Sequence, residues 1–377
     1  MLGVTRWCGV AAVGAMLASE ARLSAQQAAP RTWRVTEEWR VDGSENGEPF
    51  GDVRDLVVTR DGAAWVLDFK DQKIRRFSAA GKPLPTAGRS GSGPGELRNA
   101  NGMVLHGDGS VWVNDPSNSR LTVFGADGKY LRQHIVPITG FVYRWEGVYD
   151  SASGDVLDPA LLKQNATFAF LLRRVKPSGT VGEVLPRPSC HNGGTPSAGW
   201  EAETAGKGVS RGLYPFTSGG GLALDGRGGA WCATPNSRQV ALVRFGQNDT
   251  IARTTLALPP VAVSKAERDS IIALFRTRLA TYATSTFDPA KVPTSKPGIE
   301  ALHVDDDGRL WVQHPAAHGS QRTVFDVHDA RGAHLGRVTV PYASMTGLPV
   351  RARGAAVWMA VRDEDEVVSV VRFAIAR

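Results

Sequence analysis

The feature that most constrains this chain is a turn glycine followed three residues later by tryptophan, a phrase that occurs five times. Asp61-Gly62-Ala63-Ala64-Trp65, Asp108-Gly109-Ser110-Val111-Trp112, Arg227-Gly228-Gly229-Ala230-Trp231 and Asp307-Gly308-Arg309-Leu310-Trp311 share the spacing, and Gly354-Ala355-Ala356-Val357-Trp358 has its glycine one place early. Each follows an apolar run, such as Asp55-Leu56-Val57-Val58 or Gly102-Met103-Val104-Leu105, and most precede a second one. An apolar strand, an Asp-Gly turn and another apolar strand make a hairpin. Hairpins recurring every ~40–50 residues mean a propeller or an array of repeats.

The tryptophans at 65, 112, 231, 311 and 358 are separated by 47, 119, 80 and 47 residues. The gap of 119 leaves room for one more unit. Ser151-Ala152-Ser153-Gly154-Asp155-Val156-Leu157 supplies it, with Leu157 in the tryptophan's place, followed by the apolar run 168–172 and the turn Pro177-Ser178-Gly179-Thr180. The register therefore predicts an all-β fold, a six-bladed β-propeller of four-stranded antiparallel blades. The last blade stops after its third strand, 367–375, while Trp33–Val41 reads as a strand with no blade of its own. Pairing the two would close the ring and remove two exposed edges. Two insertions break the rhythm. Residues 186–216 are rich in Gly, Pro and Ser, and 264–283 read as a helix. That helix opens on a Ser264/Glu267 capping box and carries Ile271, Leu274, Phe275, Leu279 and Tyr282 on one face.

The amino-terminal stretch has the form of a secretory signal, residues 1–25. Arg6 precedes a twelve-residue apolar stretch, Trp7 to Ala18, too short to span a bilayer, and small residues follow. Cleavage after Ala25 would leave Gln26 first and place the protein in the periplasm or outside the cell, with the propeller at 33–377. No later segment is apolar enough to cross a membrane. Net charge is +7, and losing Arg6, Arg22 and Glu20 with the leader leaves +6. Because Lys and Arg are scattered singly, this charge does not read as a nucleic-acid surface. Cys190 and Cys232 remain after processing, and two readings stay open: a single disulfide, suited to an oxidising compartment, or a buried thiol at Cys232.

Several motif fragments lack the context their chemistry needs. Gly208-Val209-Ser210-Arg211-Gly212 has no helix after it to form a nucleophile elbow. The glycine-rich run 88–95 lacks a following Lys-Ser/Thr. His303–Gly308 lacks the anchoring carboxylates of a calcium loop, and His314 and His318 flank a proline-bearing stretch without an accompanying Glu. No catalytic constellation emerges, so the reading leans away from an enzyme. Counting back eight residues from each turn glycine reaches the start of the inner strand, which predicts a channel ring of Arg54, Asn101, Glu146, Gly220 and Glu300, with Gly347 by extension. Asn101, Glu146 and Glu300 could offer oxygen ligands to a hard cation. Equally, Arg54 could neutralise the carboxylates and make a polar plug, the arrangement we expect.

Gly93-Pro94-Gly95-Glu96-Leu97, the Asp108-Gly109 turn and the Asn114-Asp115…Arg120-Leu121 stretch resemble the repeat of the NHL family of six-bladed β-propellers. The likeness spans about residues 33–377 and implies a fold without a reaction. A second resemblance is to gluconolactonase-like propellers, which implies a divalent cation, calcium or another, held in the channel. Asn101-Gly102-Met103-Val104 and Trp145-Glu146-Gly147 are similar to fragments of that family. The Glu-Gly fragment here lies in the third unit, and the position expected to carry Asp holds Gly219 and Gly220. The function expected is that of an exported propeller that binds a protein, glycan or small molecule, without a cofactor. Trp200, Tyr214 and Phe216 are its candidate aromatic anchors on the rim. The alternative is a metal-dependent lactonase or esterase built on Asn101, Glu146 and Glu300.

Overall fold

A computed structural model describes residues 31–137, 144–164, 167–186, 188, 199–204, 208–217, 221–233, 239–244, 250–256, 259–345 and 347–377. The leader at 1–25, Cys190, and Gly219 and Gly220 lie outside the described residues. The fold is almost entirely strand. After β1 (Thr32–Val41) come four antiparallel strands, β2 (Val53–Val58), β3 (Ala64–Asp68), β4 (Lys73–Phe77) and β5 (Pro83–Ala87), paired in that order. The pattern repeats in β6 (Gly102–Leu105), β7 (Val111–Asp115), β8 (Arg120–Phe124) and β9 (Tyr130–Ile135). It returns in β10 (Val148–Asp150), β11 (Asp155–Gln164), β12 (Thr167–Val175) and β13 (Val181–Pro186).

An inserted hairpin follows, β14 (Gly199–Thr204) and β15 (Gly208–Leu213). The next sheet is β16 (Leu222–Leu224), β17 (Gly229–Ala233), β18 (Gln239–Arg244) and β19 (Thr250–Thr255). Helix α1 (Lys265–Leu279) precedes β20 (Thr284–Ser285), which pairs with β14. Then come β21 (Ala301–Val304), β22 (Leu310–Gln313), β23 (Thr323–His328) and β24 (His334–Val340), and finally β25 (Ala343–Ser344), β26 (Arg351–Arg353), β27 (Ala356–Arg362) and β28 (Val368–Ala376).

The recurring phrase has a local cause. Gly62, Gly109, Gly154, Gly228 and Gly308 all have φ between 80° and 88°, left-handed backbone that a side chain would strain. In each repeat the tryptophan three residues on lies in the second strand. Trp65, Trp112, Trp231, Trp311 and Trp358 are at most 3% exposed, and each packs among residues of the following sheet. Trp112, for example, shares a cluster with Trp145 and Val156, and Trp231 one with Leu302 and Leu310. The repeat therefore encodes both a turn and the wedge between sheets. Leu157, fully buried, takes that wedge position in the unit without tryptophan.

As the orphan strand at 33–41 led us to expect, β1 pairs antiparallel with β28, from Arg34 opposite Ala376 to Val41 opposite Val370. Its first residues also pair in parallel with β24, joining two groups of strands into one nine-stranded sheet. Trp33 packs against Trp311 edge-on at 6.3 Å, in a niche that exists because residue 336 is glycine; a Cβ there would overlap the indole. Beyond sheet pairing, hydrogen bonds link the ends of the inner strands in sequence. Arg60 donates to the Gly107 carbonyl, His106 Nε2 meets the Gly154 carbonyl, and the Ser151 amide donates to Gly226. Arg227 donates to the Asp306 carbonyl, Arg353 binds the Asp306 carboxylate, and Arg353 also donates to Thr59, returning to the sheet where the sequence began.

The insertions fold together. The loop read from sequence as irregular contains the β14–β15 hairpin, and Ser210 of the G-x-S-x-G match sits in strand β15. The helix starts as predicted, with Ser264 Oγ accepting from the Glu267 amide at 3.1 Å. Its packed face is largely the expected one, with Leu279 buried and Ile271 and Phe275 packed on the insertion, but Ile272 is buried too and Leu274 is exposed. The hairpin approaches from the Ile271–Ile272–Phe275 side, which rotates the apolar stripe away from Leu274.

Candidate functional site

The inner strands β2, β6, β10, β16, β21 and β26 line a cavity of about 740 Å³. Its walls alternate apolar residues such as Val57, Met103, Leu222 and Leu302 with ionisable ones, Asp55, Arg144, Glu146, Glu300, His303 and Arg351. The strands that supply these groups are far apart in sequence, and the hydrogen-bonded ring at their ends holds them at fixed spacing. Asp55 lies at the centre, 1% exposed, its Oδ1 accepting from the Leu56 amide at 2.8 Å and its Oδ2 from the Met103 amide at 2.7 Å. Arg144 Nη1 stands 3.6 Å and Arg351 Nη2 3.7 Å from the same Oδ1.

Depth in the protein dominates the titration of Asp55, Arg351 and His303. Burial raises the Asp55 pKa, with the two arginines opposing it. Burial lowers that of Arg351, with Asp55 opposing; the side chain is 32% exposed, and the space it meets is the lumen deep inside the ring. His303 is lowered to about 4, first by burial and further by Arg144 and Arg351, so its ring is neutral at pH 7. Its Nε2 lies 3.5 Å from Gln313 Oε1.

The predicted ring is only partly brought together. Glu146 and Glu300 do line the cavity, as does Gly347. Arg54 does not serve as their counter-ion. Its guanidinium binds Asp52 at 2.7 Å and lies over the Phe69 ring at 3.7 Å. The cause is a bulge: β2 pairs Val53 with Asp68 and then Asp55 with Leu67, so the register slips at Arg54 and Asp55 faces inward instead. Asn101, 1% exposed, accepts from Asn114 Nδ2 at 2.8 Å. The amide oxygen is engaged there and Glu146 Oε1 accepts from Arg144 Nη2 at 3.1 Å, and of Asn101, Glu146 and Glu300 only the two glutamates line the cavity. Among the described residues no group of three or more His, Cys, Asp or Glu could hold a metal.

The rim aromatics are likewise spent elsewhere. Tyr214 is buried with Ile272 and Val292, its hydroxyl accepting from the Asp288 amide at 3.0 Å. Trp200 meets Phe275 edge-on and donates to the Leu213 carbonyl, while Phe216 packs against the same cluster. They build the core of the insertion. Cys232 is buried in β17, and Cys190, its partner in the disulfide reading, lies outside the described residues. His314 serves Asp326, with Nε2 at 2.9 Å from its carboxylate, a carboxylate also bound by His334 and Arg337. Residues the spacing missed are Asp55, Arg144, His303 and Arg351. A polar residue beside each apolar inner strand was visible in every case, but the bulge at Arg54 and the division of the last inner strand into β25 and β26 displaced the count.

Antiparallel sheets of four wound round a shared channel define a β-propeller, and solved structures of similar shape are β-propellers too. The WD40 repeats of RRP9 align at a TM-score of 0.51 and 13% identity, covering 92% of this chain and 99% of that one. Virginiamycin B lyase from Staphylococcus aureus aligns at 0.48 and 12%, covering 91% and 100%, and a Bacteroides fragilis protein described as exported at 0.49 and 10%, covering 92% and 95%. The chain matches no protein-family model and no curated protein. Neighbours of this shape include enzymes and scaffolds, so the resemblance concerns fold and assigns no activity. Among the described residues no helix is long and apolar enough to cross a membrane.

Proposed function

We propose that this is an exported, six-bladed propeller of the NHL-repeat kind that binds a small molecule in its central channel. The observation that carries this reading is the cavity itself. At about 740 Å³ it falls in the range of ligand sites, and its walls mix apolar strand residues with many convergent polar and ionisable groups. Asp55, His303 and Arg351 stand on strands and Arg144, Glu146 and Glu300 on the segments that lead into β10 and β21, so a ligand would meet groups held by the sheets. Mature protein beginning at Gln26 and recovered outside the cytoplasm would accord with the leader; protein retaining residues 1–25 in the cytoplasmic fraction would defeat export.

The binding reading is tested by a thermal-shift screen of small metabolites against the wild type and a channel-filled variant, Leu222→Trp. Ala223 packs into the core between sheets, so Leu222 faces the opposite side, where it lines the cavity. A ligand at a hundred times its dissociation constant should stabilise the wild type by about 2.7 kcal/mol, and Leu222→Trp should abolish the shift. Hits that stabilise both proteins equally would move the site out of the channel. Of the residues of the lactonase reading, Glu146 and Glu300 lie on the cavity.

A further inference from the structure

We infer that Arg144 and Arg351 form a receptor for the carboxylate of a small, singly charged, partly apolar ligand. This inference rests on the channel-binding reading and names its ligand class. Asp55 Oδ1 lies between the two guanidinium groups at 3.6 Å and 3.7 Å, beyond the usual N–H···O range. The Asp55 carboxylate takes its close hydrogen bonds from two backbone amides. It therefore sets where the arginines stand without consuming their donors. Arg351 is anchored through Nε to the Leu56 carbonyl at 2.7 Å, with Nη2 turned toward Asp55 on the cavity wall. Arg144 gives Nη2 to Glu146 and has Nη1 directed at the same space.

The other channel arginines are structural by comparison. Arg60 and Arg353 spend their donors on backbone carbonyls and Asp306 at the strand ends. Two guanidinium groups within reach of one carboxylate oxygen can clamp a planar carboxylate. Charge selects the ligand further. The two arginines face Asp55 and the Glu146 carboxylate that Arg144 binds, so a ligand bringing a single negative charge fits the centre better than a polyanion. A phosphate dianion would overshoot and meet Asp55 and Glu146. Leu222 and Leu302 beside the clamp suit an apolar body.

The test titrates full-length mature protein with benzoate, benzamide and inorganic phosphate, read by calorimetry and ligand-observed NMR. Benzoate should bind saturably, with benzamide and phosphate each at least tenfold weaker. Arg144→Gln and Arg351→Gln should each weaken benzoate at least tenfold. Should loss of the bond to Leu56 unfold Arg351→Gln, Arg144→Gln, which leaves that bond intact, and Arg351→Lys, which keeps charge but loses the fork, decide the matter. Equal binding of benzoate and benzamide, indifferent to the arginine variants but lost in Leu222→Trp, would overturn the carboxylate clamp and leave channel binding standing. Tighter phosphate than benzoate, or no saturable benzoate signal up to about 10 mM, would overturn the clamp as well.

Discussion

At the scale of single residues, Asp55 does the most to order the channel. It satisfies two backbone amides from neighbouring sheets and keeps two guanidinium groups apart. Asp55→Ala would strand those amides and leave the arginines facing each other without a counter-charge. We expect a loss of about 3–4 kcal/mol, measured as a lower urea midpoint at unchanged slope. His303 gives a pH signature. The unfolded chain takes up a proton on this ring below its ordinary pKa of 6.5, whereas the folded protein resists until about 4. Stability should therefore fall as pH drops from 6.5 to 4, by about 3 kcal/mol from this residue. His303→Gln should flatten that part of the profile, and an unchanged slope would remove the assignment. Asp55 works in the opposite sense, since its raised pKa makes the folded state the stronger proton acceptor in the carboxylate range.

At the scale of elements, β1 is the part whose removal should be felt most. It covers the edge of β28 and lodges Trp33 between sheets. Trp33→Ala should cost about 3–5 kcal/mol by analogy with other buried aromatic truncations, and deleting residues 26–42 should lower the melting temperature further. A truncated protein melting where the full one does would show that the clasp is dispensable. These strands were legible because period and turn chemistry are local: Asp61-Gly62 or Asp108-Gly109 announces its hairpin without reference to anything distant. The channel chemistry was less so. Glu146 and Glu300 were found by counting, but a one-residue bulge at Arg54 exchanged it for Asp55, and no local pattern marks a bulge. The aromatics of the insertion misled for a related reason. Tyr214 and Trp200 look exposed in a polar loop, and only the distant Ile272 and Phe275 supply the partners that bury Tyr214 and partly cover Trp200.

At the scale of the whole molecule, the ring of hydrogen bonds through Arg60, Ser151, Arg227 and Arg353 makes each sheet depend on its neighbours. Calcium provides a global check. With Asn101 engaged by Asn114, adding calcium or a chelator should leave the melting temperature unchanged; a rise with calcium lost in Glu300→Gln would restore the cation reading. The clasp also bears on the order of events during synthesis and folding. Val35 finds its partner only in Ile375, so the earliest strand made must wait with a bare edge for one of the last. Long-range closure of this kind is slow and leaves an adhesive surface exposed meanwhile. Re-ordering the gene so that Thr32–Val41 is translated directly after β28 would turn the slowest contact into a neighbouring hairpin. Such a permutant should fold faster than the natural arrangement while keeping the same channel.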